Sequence, residues 1–91
     1  MRSIWKFQFG ASNRPALRMP DGAKVLSVQM QDSLITLWAE VDTTAVNEDR
    51  FFRVFGTGFD MPREMGHSDV YLGTVQDADG FVWHVYEDKG I

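Results

Sequence analysis

The stretch AKVLSVQMQDSLITLWAEV, residues 23–41, decides the fold class of this chain. In its second half, every other residue is apolar and would share one face of a strand: Ile35, Leu37, Ala39 and Val41. A period of two is the signature of a β-strand, and the first half of the stretch alternates in the same way. Gln31, Asp32 and Ser33 separate the two runs and predict a turn. The stretch therefore predicts a β-hairpin.

The same alternation recurs along the rest of the chain, in SIWKFQF, ALRMP, RFFRVF, DVYLGTVQ and FVWHVYE, and no segment has a convincing helical period. Turn signals such as Pro20-Asp21-Gly22 and Asp79-Gly80 fall roughly every ten residues, which favours antiparallel pairing. We predict an all-β fold with six to seven short antiparallel strands in a small sandwich or barrel. Several strands are apolar on both faces, so the second face should meet a second sheet or another subunit. A homo-oligomer, with a dimer as the default, is therefore expected.

Length and composition restrict the classes of protein that this chain can belong to. Its 91 residues, 44% of them hydrophobic, predict a single globular domain over 1–91. Cysteine is absent, which excludes disulfides, thiolate zinc sites and cysteine nucleophiles. Neither a secretory signal nor a membrane-spanning run is recognisable, so we expect a cytoplasmic protein that does not bind membrane.

Charge argues against nucleic acid as a partner. The net charge is −4, whereas binding to DNA, RNA or anionic lipid requires an electropositive surface. Residues 51–91 carry three basic and seven acidic side chains, while residues 1–50 carry six of each. An anion site in the second half would therefore have to be local and built from Arg53 or Arg63.

The segment Gly56-Thr57-Gly58 allows two interpretations. Its backbone N–H groups could cradle an anion, with Arg63 closing over it. A dinucleotide fingerprint, however, needs a third glycine that opens a helix after a parallel strand, and neither is present. The alternative is a bend or bulge at the end of a strand, and this structural role for the two glycines is the one we favour.

Aromatic residues supply the remaining candidates for a site. Alternation places Arg53 between Phe51 and Phe55, and a guanidinium flanked by aromatic rings is suited to holding a phosphate beside a base. An Arg that reaches out to solvent is the alternative. Trp38 could form a stacking wall or belong to the core.

The last strand, FVWHVYE, contributes another candidate. Its alternation assigns Phe81, Trp83 and Val85 to the core face and His84 to the opposite face, where we include it in the ligand-binding set. With only two histidines and no cysteine, neither a metal site nor a cofactor is predicted. No enzyme motif is recognised either.

The chain resembles a family of small uncharacterised proteins encoded by tailed phages and prophages. The matching stretches run over nearly the full length: IWKF (4–7), MPDGAKVLSVQ (19–29), LWAEVD (37–42), FRVFGTG (52–58), YLGTVQ (71–76) and FVWHVYE (81–87). The resemblance implies one compact domain and an accessory gene, and the host cell would be an infected or lysogenic bacterium. It implies no established activity.

Two hypotheses of function follow. The first is a non-enzymatic protein that binds a small molecule, such as a counter-defence sponge that sequesters a nucleotide-derived immune signal in pockets between subunits. Its candidate ligand-binding residues are Arg53, Arg63, Gly56, Thr57, Gly58, Trp38 and His84. The second is an adaptor or inhibitor that docks on a host enzyme through an aromatic strand edge.

Overall fold

Seven β-strands form the fold in the computed structural model, which describes residues 1–10, 12–62 and 69–89. The alternating sequence pattern accounts for each strand, because a period of two allows one face to be buried. This confirms the predicted all-β class. No helix that could span a membrane occurs in the described ranges. The strands are β1 (Arg2–Phe9), β2 (Ala16–Pro20), β3 (Lys24–Gln31), β4 (Leu34–Asp42), β5 (Asn47–Gly56), β6 (Val70–Gln76) and β7 (Val82–Asp88).

The strands form two antiparallel sheets. One has the order β1-β4-β3 and the other the order β2-β5-β7-β6. The predicted hairpin is β3–β4, with Gln31 paired to Leu34 across a two-residue turn. Both turn residues, Asp32 and Ser33, have positive φ angles of 54° and 65°, as a type I′ turn requires. The backbone of a type I′ turn matches the right-handed twist of the two strands that it joins.

The core lies between the inner faces of the two sheets. Leu37, Ala39 and Val41 alternate inward from β4, as the sequence predicts, and all are buried. The sheets meet at Phe9 and Phe52, whose rings stack with centroids 6.2 Å apart and an interplanar angle of 22°. The remaining core side chains come from both sheets and include Met19, Val28, Val54, Val75 and Val85.

The face assignment of the last strand is confirmed for two of its three core residues. Val85 is fully buried and Trp83 packs against the core. Phe81 precedes β7 and is 62% exposed, so its assignment to the core was wrong. The physical reason is the turn from Asp77 to Phe81, closed by Asp77 N–H donating to Phe81 O at 2.9 Å, which ends the alternation before Phe81.

The sheets approach each other closely along one side, where β3 meets β6. A Cβ atom added to Gly73 would lie 3.2 Å from Cβ of Val28, so a larger residue at this position would require Val28 to move by a few tenths of an ångström. Both strands carry an irregularity in register, between Val25 and Ser27 in β3 and between Tyr71 and Gly73 in β6. Bulges bend edge strands, and here they occur where the two edges meet.

A buried ion pair ties the sheets together at one end. Arg50 Nε and Nη2 donate to the Glu87 carboxylate at 2.5 and 2.9 Å, and Nη1 donates to the carbonyl oxygen of Ala23 at 2.8 Å. Ala23 leads into β3 of the other sheet, so one guanidinium joins both layers. Burial alone would raise the pKa of Glu87, but the hydrogen bonds and charge of Arg50, aided by Lys89, outweigh burial and hold the pKa below its usual value.

Replacing Phe52 with Ala should remove the ring that joins the two sheets. Because Phe52 is only 1% exposed, we expect a loss of about 3–5 kcal/mol in the free energy of unfolding, measured in urea. Phe81→Ala is the matched control, and its effect should be within about 0.5 kcal/mol of zero. Equal losses for the two variants would contradict the described core.

The ion pair predicts a specific dependence of stability on pH. Glu87 has a lower pKa in the folded than in the unfolded chain, so its contribution is complete above the unfolded value of about 4.5 and is lost as the pH falls through the folded value. Glu87→Gln should cost about 3 kcal/mol at pH 7, because it leaves Arg50 buried with only the more distant Glu48 carboxylate, 3.9 Å away, as a counter-charge. The stability difference between wild type and this variant should shrink as the solution is acidified below pH 4.5.

The control for this titration is Glu40→Gln, which removes the exposed partner of Arg2. An exposed pair contributes about 0–1 kcal/mol, so this variant should remain close to wild type. Urea unfolding from pH 7 downward measures all three proteins. A stability difference between wild type and Glu87→Gln that does not change with pH would contradict the assigned ion pair.

Candidate functional site

The outer face of the four-stranded sheet brings together three of the predicted site residues. Register places Phe55 opposite His84 and Arg53 opposite Tyr86 on adjacent strands. Thr57, just beyond β5, reaches His84 from the same side. We call this surface the His84 face; it comprises Arg53, Phe55, Thr57, Tyr71, Thr74, His84 and Tyr86.

Hydrogen bonds hold the His84 imidazole on both sides. Its Nε2 lies 2.8 Å from the Thr57 hydroxyl and its Nδ1 lies 3.0 Å from the Thr74 hydroxyl, which also bonds to the Tyr71 hydroxyl. A neutral imidazole donates from one nitrogen and accepts at the other, and a hydroxyl can do either. Both ring nitrogens are therefore engaged, and the ring is fixed in orientation. A ring held in this way is suited to contact through its face.

Three aromatic rings form a row beside His84. Tyr86 lies in the middle, with its ring centroid 6.0 Å from that of Phe55 and 5.4 Å from that of Tyr71. Both pairs pack edge to face, at interplanar angles of 74° and 61°, which is a favourable geometry for aromatic quadrupoles. Tyr71 is 55% exposed, so the row reaches solvent at the β6 edge.

Arg53 carries the positive charge of this face, and it is partly neutralised. Its Nε lies 3.2 Å from Oδ2 of Asp88, and both side chains are mostly buried. A guanidinium has five N–H groups, and this contact uses the one on Nε. No hydrogen bond joins the Nη groups to a described residue, and a pair of such N–H groups is the fork that binds a phosphate or carboxylate in other proteins.

The Gly56-Thr57-Gly58 segment forms a turn at the end of β5. The Thr57 amide donates to Val82 O at 3.1 Å and the Phe59 amide donates to Gly56 O at 3.0 Å. A Cβ atom on Gly56 would lie 2.9 Å from the ring of Phe59, and Gly58 has a φ of 86°. Gly56 and Gly58 are therefore required by the shape of the turn. The Thr57 amide already donates a hydrogen bond within the protein. A role for this segment in ligand binding stays a prediction.

Trp38, another predicted site residue, does not lie on the His84 face. Trp38 lies on β4, paired with Lys6 and Ser27 on the outer face of the three-stranded sheet. Arg63 lies outside the described residues. Among the residues that are described, no group of three or more potential ligands is placed to hold a metal ion.

Sequence reasoning missed the two tyrosines and Thr74. Their signal was present in the alternation of VYLGTVQ, but it becomes informative only once β6 is known to pair with β7. Tyr71 pairs with Tyr86 and Thr74 with His84 in that register. These contacts depend on which strands are neighbours, and that information is not local in sequence.

The chain belongs to the family described as "Domain of unknown function (DUF7352)", which matches residues 1–90. This confirms the expected membership of a small uncharacterised family. Searches of curated proteins and of solved structures found no significant match.

Proposed function

We propose that this protein is a non-enzymatic binding protein that holds a small planar molecule with a negative charge on the His84 face. The observation that carries the proposal is the row of Phe55, Tyr86 and Tyr71 beside Arg53 and the fixed ring of His84. A planar group would stack on the rings and a phosphate would bind the Nη groups of Arg53. A nucleotide-derived molecule combines both features.

Stacking on the aromatic rings and phosphate binding by Arg53 should contribute similar free energies of binding. Stacking of a base on an aromatic side chain contributes about 1–3 kcal/mol per base, and it does not depend on the identity of the base. A hydrogen bond between charged groups contributes about 1.5–3 kcal/mol. Asp88 beside Arg53 reduces the net positive charge, so a ligand with a single phosphate group is favoured over a highly charged one.

A second copy of the chain would complete the site. Phe51, which lies beside the His84 face on the same side of the sheet, and Tyr71 are both more than half exposed. Ligand sites usually cover most of their ligand, which one face of a sheet cannot do alone. Isologous pairing of two such faces would enclose a ligand between them and would account for the apolar outer surface.

The biological setting is part of the proposal. The resemblance to phage and prophage proteins favours an accessory protein that acts in the cytoplasm of an infected or lysogenic bacterium. Sequestering a nucleotide-derived signal of host immunity requires tight binding and no turnover. A site whose side chains are already held in place is compatible with that role.

The second candidate is an adaptor or inhibitor that docks on a host enzyme. It is favoured by β1, an eight-residue edge strand that has a described neighbour only on the β4 side. On this strand Ile4 is 60% and Trp5 40% exposed, on opposite faces of the sheet. An extended segment of a partner could add to the sheet there, with these two side chains contributing specificity.

The test is calorimetric titration of cyclic nucleotides and cyclic ADP-ribose isomers into wild type and variants. Arg53→Ala and Tyr86→Ala should each weaken binding by roughly ten- to a hundredfold, because each removes one of the two contributions. Arg53→Lys should restore only part of the affinity, since it keeps the charge and loses the fork. Sedimentation should give a dimer whose ligand affinity falls on dilution to monomer.

Arg2→Ala is the matched control, because Arg2 also pairs with a carboxylate on an outer face, but on the other sheet. Its affinity should equal that of wild type. If no member of the panel binds, or if Arg53→Ala and Tyr86→Ala bind as tightly as Arg2→Ala, the proposal fails. Capture of one host polypeptide, lost on Trp5→Ala and retained by Tyr86→Ala, would favour the adaptor.

A further inference from the structure

A cleft opens between the two sheets at the end away from the Arg50–Glu87 pair. Its volume is about 540 Å³, which lies within the range of small-molecule sites. The inner faces of both sheets supply its apolar walls: Phe9, Met30, Ile35, Val54 and Trp83. These side chains continue the core, but here nothing in the described chain fills the space between them.

One wall of the cleft is rigid. Trp83 Nε1 donates to Oδ2 of Asp77 at 3.0 Å, which fixes the plane of the indole. Asp77 is itself held, because its Oδ1 accepts from the amides of Asp79 and Phe81 at 2.9 and 3.0 Å. The hydrogen bond from Trp83, followed by those from the turn amides, holds the pKa of Asp77 below its usual value. The carboxylate is therefore ionised at neutral pH.

The charge that lines the cleft is negative and comes from Asp77. Asp77 is the only ionisable side chain that lines it among the described residues, and the other polar lining residues are neutral. Oδ1 accepts from two turn amides, whereas Oδ2, on the side of Trp83, accepts from the indole. A carboxylate oxygen has two lone pairs, so Oδ2 can accept from a ligand as well as from Trp83. An anion in this cleft would face the Asp77 charge across apolar walls, with no basic side chain to offset it.

We propose that this cleft binds a neutral or cationic aromatic small molecule that donates an N–H group to Asp77. The apolar walls accept the ring system, Trp83 supplies an edge or face, and the carboxylate selects against anions. The cleft lies between the sheets and shares no described residue with the His84 face, so this second site does not depend on the proposed function. The cleft selects against anions, whereas the His84 face is proposed to bind an anion.

Two fluorescent probes with the same rings test the charge selection. N-phenylnaphthylamine is neutral and has an N–H donor, and anilinonaphthalene sulfonate carries the same ring system with an added sulfonate. Each is titrated into a Trp5→Phe, Trp38→Phe double variant, in which Trp83 is the only indole. The amine should bind and quench Trp83 by energy transfer, and the sulfonate should bind at least about tenfold more weakly.

Met30→Trp, made with the two Trp→Phe replacements already present, tests the location by filling the cleft. It should lower the affinity for the amine at least about tenfold, as read from the emission of the probe. Leu26→Trp, at an exposed position outside the cleft, is the matched control and should bind like its parent. Circular dichroism checks that both variants fold, and a Met30→Trp that does not fold is replaced by Val54→Met at another wall.

Charge dependence at Asp77 gives a further readout. Asp77→Asn keeps an oxygen for the turn amides and removes the negative charge, so the sulfonate should bind this variant more tightly than it binds wild type. Failure of the amine to bind, equal binding of the two probes to wild type, or binding that Met30→Trp leaves unchanged would each overturn the proposal. The last result would mean that the probe adheres to exposed aromatic residues such as Phe59 and Phe81.

Discussion

The buried ion pair between Arg50 and Glu87 is the constraint on which the rest of this structure depends. A charge on the inner face of a sandwich is unfavourable unless it is paired and hydrogen-bonded. Here one guanidinium binds Glu87 on the neighbouring strand and the carbonyl of Ala23, the residue that leads into β3 of the opposite sheet. The pair therefore fixes the spacing of the sheets at one end. At the other end no such tie joins the described residues, and the sheets leave a cleft between Phe9 and Trp83. The ion pair therefore closes one end of the sandwich, and the cleft lies at the end that is farther from the pair.

Local sequence was sufficient for part of this architecture. Alternation identified the strands, the β3–β4 hairpin and the inward-facing residues of β4, because these depend on neighbours close in the chain. It could not supply the order of strands in either sheet, since β5 pairs with β7 rather than with β6. Arg50 and Glu87 are 37 residues apart, and nothing in either flanking segment marks them as partners. Phe81 shows an error of a different kind. Its assignment to the core extended the alternation of β7 back into the turn from Asp77 to Phe81, where the alternation does not hold.

In the candidate site, too, some residues could be selected from local sequence and others only from strand pairing. Arg53 and His84 were selected from alternation and lie on one face, while Trp38 was selected on residue type alone and lies on the other sheet. The tyrosines and Thr74 became visible only through the pairing of β6 with β7. The two proposed binding surfaces also differ in character. The His84 face combines fixed rings with a guanidinium, and the cleft combines apolar walls with a carboxylate. Both consist of side chains held by hydrogen bonds or ring packing, as preorganised binding requires.

Native mass spectrometry tests most directly the central claim that this is a binding protein for a nucleotide-derived molecule. Wild type and Arg53→Ala would each be incubated with a small-molecule extract of bacterial cells, separated from unbound material and ionised gently. Wild type should carry an added mass that is released on denaturation and has the fragmentation of a nucleotide, and Arg53→Ala should carry at least about tenfold less of it. Wild-type spectra that contain only the 10.4 kDa chain or its multiples, without added mass, would contradict the account.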